Sequence, residues 1–244
     1  MRIITMARPE RRNALTVAMV EAMAELITAA HDLPARAVII TGEGSVFCAG
    51  GDLPSLLAIA STSATAATEV IYRGFHGLVR AIRDCPVPVI AAVNGPALGA
   101  GLDLALCCDL RVASSAARFE STWVRVGLLP GMAGAPRLAA ITGSTRAAEM
   151  LLLGQPVSAE QAAAWGLVNS VTEPADLLPA CEEMVHRLGA LPRTAVARTK
   201  ASLRRYVDRG LDEELAVLGA QQGQLLATDE FSAVARRIQG KSNG

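Results

Sequence analysis

Two glycine-rich segments, Phe47-Cys48-Ala49-Gly50-Gly51-Asp52 and Asn94-Gly95-Pro96-Ala97-Leu98-Gly99-Ala100-Gly101, constrain this chain more than any other feature. Each follows an apolar run with the length of a buried strand, and each leads toward a helical pattern. Small residues at such junctions leave main-chain N–H groups uncovered, so a ligand oxygen can come close to the backbone. Two such loops facing one point would offer two donors to a carbonyl that becomes an oxyanion. The alternative is a pair of tight turns between packed elements.

Nucleotide sites do not fit these glycines. A dinucleotide fingerprint needs G-x-G-x-x-G across one strand–helix turn, and Gly99-Ala100-Gly101 lacks the third glycine and the acid that should follow. Gly240-Lys241-Ser242 has the end of a P-loop but no strand before it.

Along the first half, strand and helix patterns alternate. Residues 16–30 have a helical period behind Thr16 as N-cap, and 37–40 form a short strand ending at Thr41-Gly42. One helix is expected over about 65–83, strands over 89–93 and 110–113, and a helix over 102–107 between them. Repeated units of this size imply parallel pairing. After Pro130-Gly131 the pattern is helical: 135–141, 146–153, 159–165, 177–188, 194–209, 213–226 and 230–238, with one more strand at 167–171. The expected division is a core over 1–191 and a helical oligomerisation region over 192–244. The Ala-, Ser- and Thr-rich stretch 58–67 reads as a mobile loop.

The 244 residues suffice for one well-buried domain. Acidic and basic residues balance at 23 each, so nucleic acid is not an expected partner. No apolar stretch is long enough to span a bilayer, so no membrane is expected. Met1-Arg2-Ile3-Ile4 already reads as strand, which gives no signal peptide and a cytoplasmic location as the expectation. Five cysteines (Cys48, Cys85, Cys107, Cys108 and Cys181), odd in number and mostly in apolar sequence, read as reduced thiols. His31, His76 and His186 stand apart, so no metal site is expected.

At this point the chain resembles the crotonase (enoyl-CoA hydratase/isomerase) superfamily. The resemblance is carried by Arg8-Pro9-Glu10-Arg11-Arg12-Asn13-Ala14-Leu15, by residues 47–53, by 94–104 with Cys108-Asp109, by 127–138, and by 159–171. Five collinear blocks cover almost the whole chain. The resemblance implies an α/β fold, a spiral of β-β-α units with a C-terminal helical trimerisation region. It implies a homotrimer or dimer of trimers, and an acyl-CoA thioester as partner, with coenzyme A as part of the substrate and no separate cofactor. The family's two main-chain oxyanion donors fall on Gly51 and Ala100. Arg11, Arg12, Ala14, Ala49 and Leu53 fall where the family holds the CoA nucleotide and pantetheine. Both arginines also suit a solvated basic loop.

The departures bear on the reaction. The family's hydratases use two glutamates. The first falls on Asp103, a shorter acid that also suits the first turn of a helix. The second falls on Trp123, which holds no transferable proton and is expected to line the acyl pocket. Glu120 is nearby, with surface exposure the expectation. His76 falls where the 4-chlorobenzoyl-CoA dehalogenase branch has its catalytic histidine, but that branch's nucleophilic aspartate falls on Gly131. Cys48 has no histidine placed to activate it and reads as a packing residue.

The expected function is an acyl-CoA enzyme that stabilises a thioester enolate at Gly51 and Ala100, with Asp103 as leading proton carrier and His76 as a weaker candidate. Two other readings stand beside it: a catalytically silent acyl-CoA-binding protein, and a thioester hydrolase in which His76 activates water.

Overall fold

A computed structural model describes residues 1–31, 34–61 and 63–242. Among these residues eight strands fall into two sheets. Strands β1 (Arg2–Met6), β2 (Val38–Gly42), β3 (Val89–Val93), β5 (Leu110–Ser114) and β8 (Ser170–Thr172) form the larger, in the order β1-β2-β3-β5-β8, with every pair parallel. β3 is Val-Ile-Ala-Ala-Val and buried at every position, as a parallel strand covered on both faces must be. The smaller sheet has the order β4-β6-β7, from β4 (Ala97–Leu98), β6 (Arg118–Glu120) and β7 (Val157–Ser158).

The two sheets explain the β-β-α spiral. Each turn gives one strand to the large sheet and the next to the small one: β3 then β4, β5 then β6. Single parallel bridges continue the small sheet across the earlier turns, Cys48 beside Ala97 and Leu15 beside Gly51. Both glycine segments therefore run side by side on this second sheet. That is how loops fifty residues apart in sequence become neighbours.

Twelve α-helices complete the described chain: α1 (Val17–Thr28), α2 (Leu53–Ala60), α3 (Ala64–Arg73), α4 (Phe75–Asp84), α5 (Ala100–Cys107), α6 (Gly134–Thr142), α7 (Ser144–Leu152), α8 (Ala159–Ala164), α9 (Leu177–Gly189), α10 (Arg193–Val207), α11 (Leu211–Leu226) and α12 (Asp229–Ser242). Thr16 caps α1 by accepting the Met19 N–H at 3.3 Å.

Three sequence expectations change. The single helix over 65–83 is two, α3 and α4, meeting at Gly74. A side chain there would press on Val17 and Val20 of α1, so the joint lies where α1 crosses. The loop expected at 58–67 is mostly helix, because Asp52 caps α2 through the Ser55 N–H (3.1 Å) and Pro54 suits the first turn; Thr62 lies outside the described residues. The last strand is displaced from 167–171 to Ser170–Thr172, because the Leu167 N–H still closes the turn after α8 on the Ala162 carbonyl (2.8 Å).

The C-terminal helices fold back over the N-terminal part. Gly219 and Gly223 put a bare strip of α11 against α3 and α4: a Cβ on Gly223 would collide with Thr68, and one on Gly219 would lie 3.3 Å from His76 Cε1. Buried ion pairs tie α10 to the core. Lys200 Nζ and Arg204 Nη2 each stand 2.7 Å from Asp109, just before β5, and Arg137 of α6 stands 2.7 Å from Asp208. Removing one partner from such a pair leaves an uncompensated buried charge, which costs about 3–5 kcal/mol.

Gly101 allows the closest approach between the glycine segments, since a Cβ there would overlap the Cys48 carbonyl oxygen. Gly101→Ala is expected to cost about 1–3 kcal/mol or more in urea unfolding. Gly189→Ala, where a Cβ meets nothing, should stay within about 1 kcal/mol of the parent.

Candidate active site

Two asparagines, Asn13 buried and Asn94 partly so, shape the first loop. Asn13 donates from Nδ2 to the Glu43 and Val46 carbonyls (2.9 and 2.7 Å), and its Oδ1 accepts the Arg8 N–H (3.0 Å). Asn94 accepts the Gly42 N–H at 3.1 Å and donates to the Gly44 carbonyl at 2.9 Å, fastening the end of β3 to the same loop. The Cys48 N–H donates to the Pro96 carbonyl (3.1 Å) and the Leu98 N–H to the Cys48 carbonyl (2.9 Å). The two segments are hydrogen-bonded to each other before any ligand arrives.

Gly50 and Gly99 then turn the chain out of the sheet, with φ of 106° and 50°. The Cβ position of Gly50 lies 3.6 Å from the Ala100 nitrogen, and that of Gly99 would press on Thr122 Oγ1 at 2.7 Å. Side chains are thus excluded by both backbone angle and space. Gly51 and Ala100 follow directly. Among the described residues neither N–H donates to a protein acceptor; Ala100 is the first residue of α5, where such donors are intrinsically unpaired.

Gly51 opens onto a narrow pocket lined by Leu56, Ile71, Phe75, Trp123, Gly131, Met132 and Gln222. Trp123 stands in the wall of this pocket. Asp103 lies one layer behind it. Its carboxylate rests on Gly134, accepts the Met132 N–H at 3.4 Å, and lies close enough to the Trp123 indole for that N–H to favour its charge, though without hydrogen-bond geometry. Burial pushes its pKa up from 3.8 to about 7, against the opposing pull of Met132, Trp123 and the Arg137 charge.

His76 sits behind the wall rather than in it. It is fully buried in α4, next to the pocket-lining Phe75, and its Nε2 donates to the Gly131 carbonyl at 2.8 Å. Burial, aided by the Arg80 charge, lowers its pKa from 6.5 to about 4, so the imidazole is neutral at pH 7. Its visible work is to hold the Gly131 turn. Glu120, expected at the surface, is instead buried, because Arg118 and Arg125 clamp its carboxylate. Burial drives the Cys48 thiol to about 12, which suits packing and not nucleophilic attack.

Residues placed near CoA by resemblance do converge. The Leu15–Gly51 bridge and the bond from the Ala49 N–H to the Arg12 carbonyl (2.9 Å) bring Arg12, Ala14, Ala49 and Leu53 along one edge, with Arg11 and Arg12 exposed. Arg8 was overlooked in the sequence; it donates to the Ala14 carbonyl at 2.9 Å and pairs with Asp52 at 3.4 Å, bracing that edge. Gln222 was overlooked too, although a lone polar residue on the buried stripe Leu211, Leu215, Leu218, Leu226 is a readable signal.

The family profile for enoyl-CoA hydratase/isomerase matches residues 1–237. The chain belongs to the enoyl-CoA hydratase/isomerase family. It is similar to a crotonyl-CoA hydratase of Syntrophomonas wolfei, 34% identical, covering 93% of this chain and 87% of the relative. Among solved structures it resembles an enoyl-CoA hydratase from Mycobacterium avium subsp. paratuberculosis (TM-score 0.87, 32% identity, 96% and 93% of the two chains covered). It also resembles a monofunctional enoyl-CoA isomerase from Mycobacterium smegmatis (TM-score 0.71, 33%, 84% and 88%). The protein is an acyl-CoA-processing enzyme of the enoyl-CoA hydratase/isomerase type, with the crotonase fold. No helix among the described residues is long and apolar enough to cross a membrane.

The two perturbed groups give stability opposite pH dependences. From about pH 4 to 7 the unfolded chain loses the Asp103 proton while the folded chain keeps it, so this term destabilises the fold as pH rises. For His76 the unfolded chain binds a proton below 6.5 and the folded chain only near 4, so this term stabilises the fold as pH rises between those values. Urea unfolding at pH 4 and pH 8 should show Asp103→Asn gaining on the parent by a few kcal/mol at the higher pH. For His76→Gln the parent should gain instead as pH rises from 4 to 6.5.

Proposed function

We propose that the Gly51 and Ala100 N–H groups receive the thioester oxygen of an acyl-CoA and stabilise the enolate formed when a proton leaves the acyl chain. Donors fixed in a dry site need no rearrangement as charge develops, and each contributes about 3–4 kcal/mol to such a step. Asp103 is the proton carrier in this reading. The observation that carries it is a single carboxyl, one helical turn from Ala100, with a pKa raised to about 7. An acid of that pKa can take and return a proton at neutral pH. One group doing both suits a shift of the double bond along the acyl chain better than addition of water, which in this family uses two positioned carboxylates. Trp123 fills the second position.

A silent acyl-CoA-binding protein is the second reading. It is favoured by the position of Asp103 behind Trp123 and Met132. Thioester hydrolysis through His76 has less support, since its Nε2 is engaged by Gly131. Arg11 and Arg12 are proposed to meet the CoA phosphates. The region 192–244 is proposed to assemble a homotrimer or dimer of trimers, supported by the exposed apolar side chains Leu203, Tyr206 and Val207 on α10.

Turnover of 3-enoyl-CoA should exceed hydration of crotonyl-CoA, with kcat/KM rising as pH passes through about 7. Asp103→Asn should lower kcat by about 10²–10⁴-fold with CoA-ester affinity retained. Unchanged turnover in that variant would remove Asp103 from the mechanism, and no turnover by the parent would leave the binding reading. Sedimentation should give three or six copies; a monomer at micromolar concentration would refute the assembly.

A further inference from the structure

The pocket beside Gly51 is apolar apart from the Gly51 main chain, the Trp123 indole N–H, which lies by the Asp103 carboxylate, and one amide. Leu56, Ile71, Phe75 and Met132 make its walls, and Gln222 of α11 brings a carboxamide among them while remaining 2% exposed. The Gly219 and Gly223 contacts with α3 and α4 set the height of α11 and so fix where this amide stands. The Oε1 atom accepts the Leu129 N–H at 3.4 Å, the one hydrogen bond of this amide among the described residues. That bond orients the group, and its NH2 is left facing Gly131, whose Cβ position is 3.4 Å from Nε2. Because residue 131 is glycine, no side chain screens the amide from the pocket.

We propose that Gln222 is a specificity residue that selects acyl groups carrying an acceptor oxygen, a keto or hydroxyl group, beyond the reacting Cα and Cβ atoms. The proposal rests on the acyl-CoA reading above and narrows it to a substrate class. A buried amide donor facing an alkyl chain loses its hydration without compensation, whereas an oxygen on that chain restores the bond. Sites that offer a buried hydrogen-bonding group reject analogues lacking the matching atom far more strongly than they reject a change in length. Of the two side-chain donors in the wall, the Trp123 indole N–H lies beside the Asp103 carboxylate, and the Gln222 amide is the one left to read such an oxygen.

The test compares saturated esters, which need no catalysis, in matched pairs: pentanoyl-CoA with 4-oxopentanoyl-CoA, and hexanoyl-CoA with 5-oxohexanoyl-CoA. Calorimetry on the full chain should give the parent protein an affinity about tenfold higher for at least one keto ester than for its alkyl partner. In Gln222→Leu and Gln222→Met that ratio should fall to about two or less, chiefly by weaker keto-ester binding. Equal affinities within both pairs for the parent would overturn the inference while leaving the acyl-CoA reading standing. An undiminished ratio in either folded variant would also overturn it. Failure of all four esters to bind would sink the acyl-CoA reading and this inference together. The parent comparison needs no variant, so misfolding of the substituted chains leaves the proposal exposed to refutation.

Discussion

The contact on which the rest depends is the one between the Cα of Gly101 and the carbonyl of Cys48. No side chain fits between them, and the flanking hydrogen bonds, Cys48 to Pro96 and Leu98 to Cys48, hold the two segments at backbone distance. This closeness lets the second sheet continue from Phe119 through Ala97 and Cys48. It also puts Gly50 against the Ala100 nitrogen, so both unpaired N–H groups belong to one rigid unit. Preorganisation follows from sheet hydrogen bonding, which exists without substrate.

Around that unit the charges are separated by burial. Arg8, Asp52, Arg11 and Arg12 gather at the edge proposed to meet the CoA phosphates. Inside, Asp103 is held among Met132, Trp123 and Gly134 with water excluded, and its carboxyl is poised between protonation states. Arg137 ties this interior to the C-terminal helices. It lowers the cost of an ionised Asp103 from α6 while its own charge is balanced by Asp208 beyond the end of α10. Glu120 and His76, two titratable groups near the pocket, are committed to structural partners. In the proposed reaction this leaves Asp103 as the acid that moves the proton.

Much of this was legible in the sequence because backbone constraints leave glycine and asparagine marks. Gly50, Gly51, Gly99 and Gly101 announce close main-chain approach, and the apolar runs at 38–40 and 89–93 announce a doubly covered parallel sheet. The substitution at Trp123 was equally readable, since it is a departure from a pattern. What was hidden depends on packing between distant elements. The break at Gly74 is set by Val17 and Val20 of α1, and burial of Glu120 is set by two arginines, one of them beyond Trp123. The roles of Gln222 and of His76 behind Gly131 follow only once α11 is laid on α3 and α4. The very short strands β4, β6 and β7 carry too few residues for a period.

The central claim is that the two loops polarise a thioester carbonyl through main-chain donors. Isotope-edited vibrational spectroscopy of an acyl-CoA labelled with carbon-13 at the thioester carbon measures that polarisation in the bound state. The account predicts a carbonyl stretch lowered on binding to the parent protein. It should return most of the way to the solution frequency in Ala100→Pro, which removes one donor at a helix position that tolerates proline. A bound frequency equal to that in water, or a shift that survives Ala100→Pro unchanged in a folded protein, would contradict it.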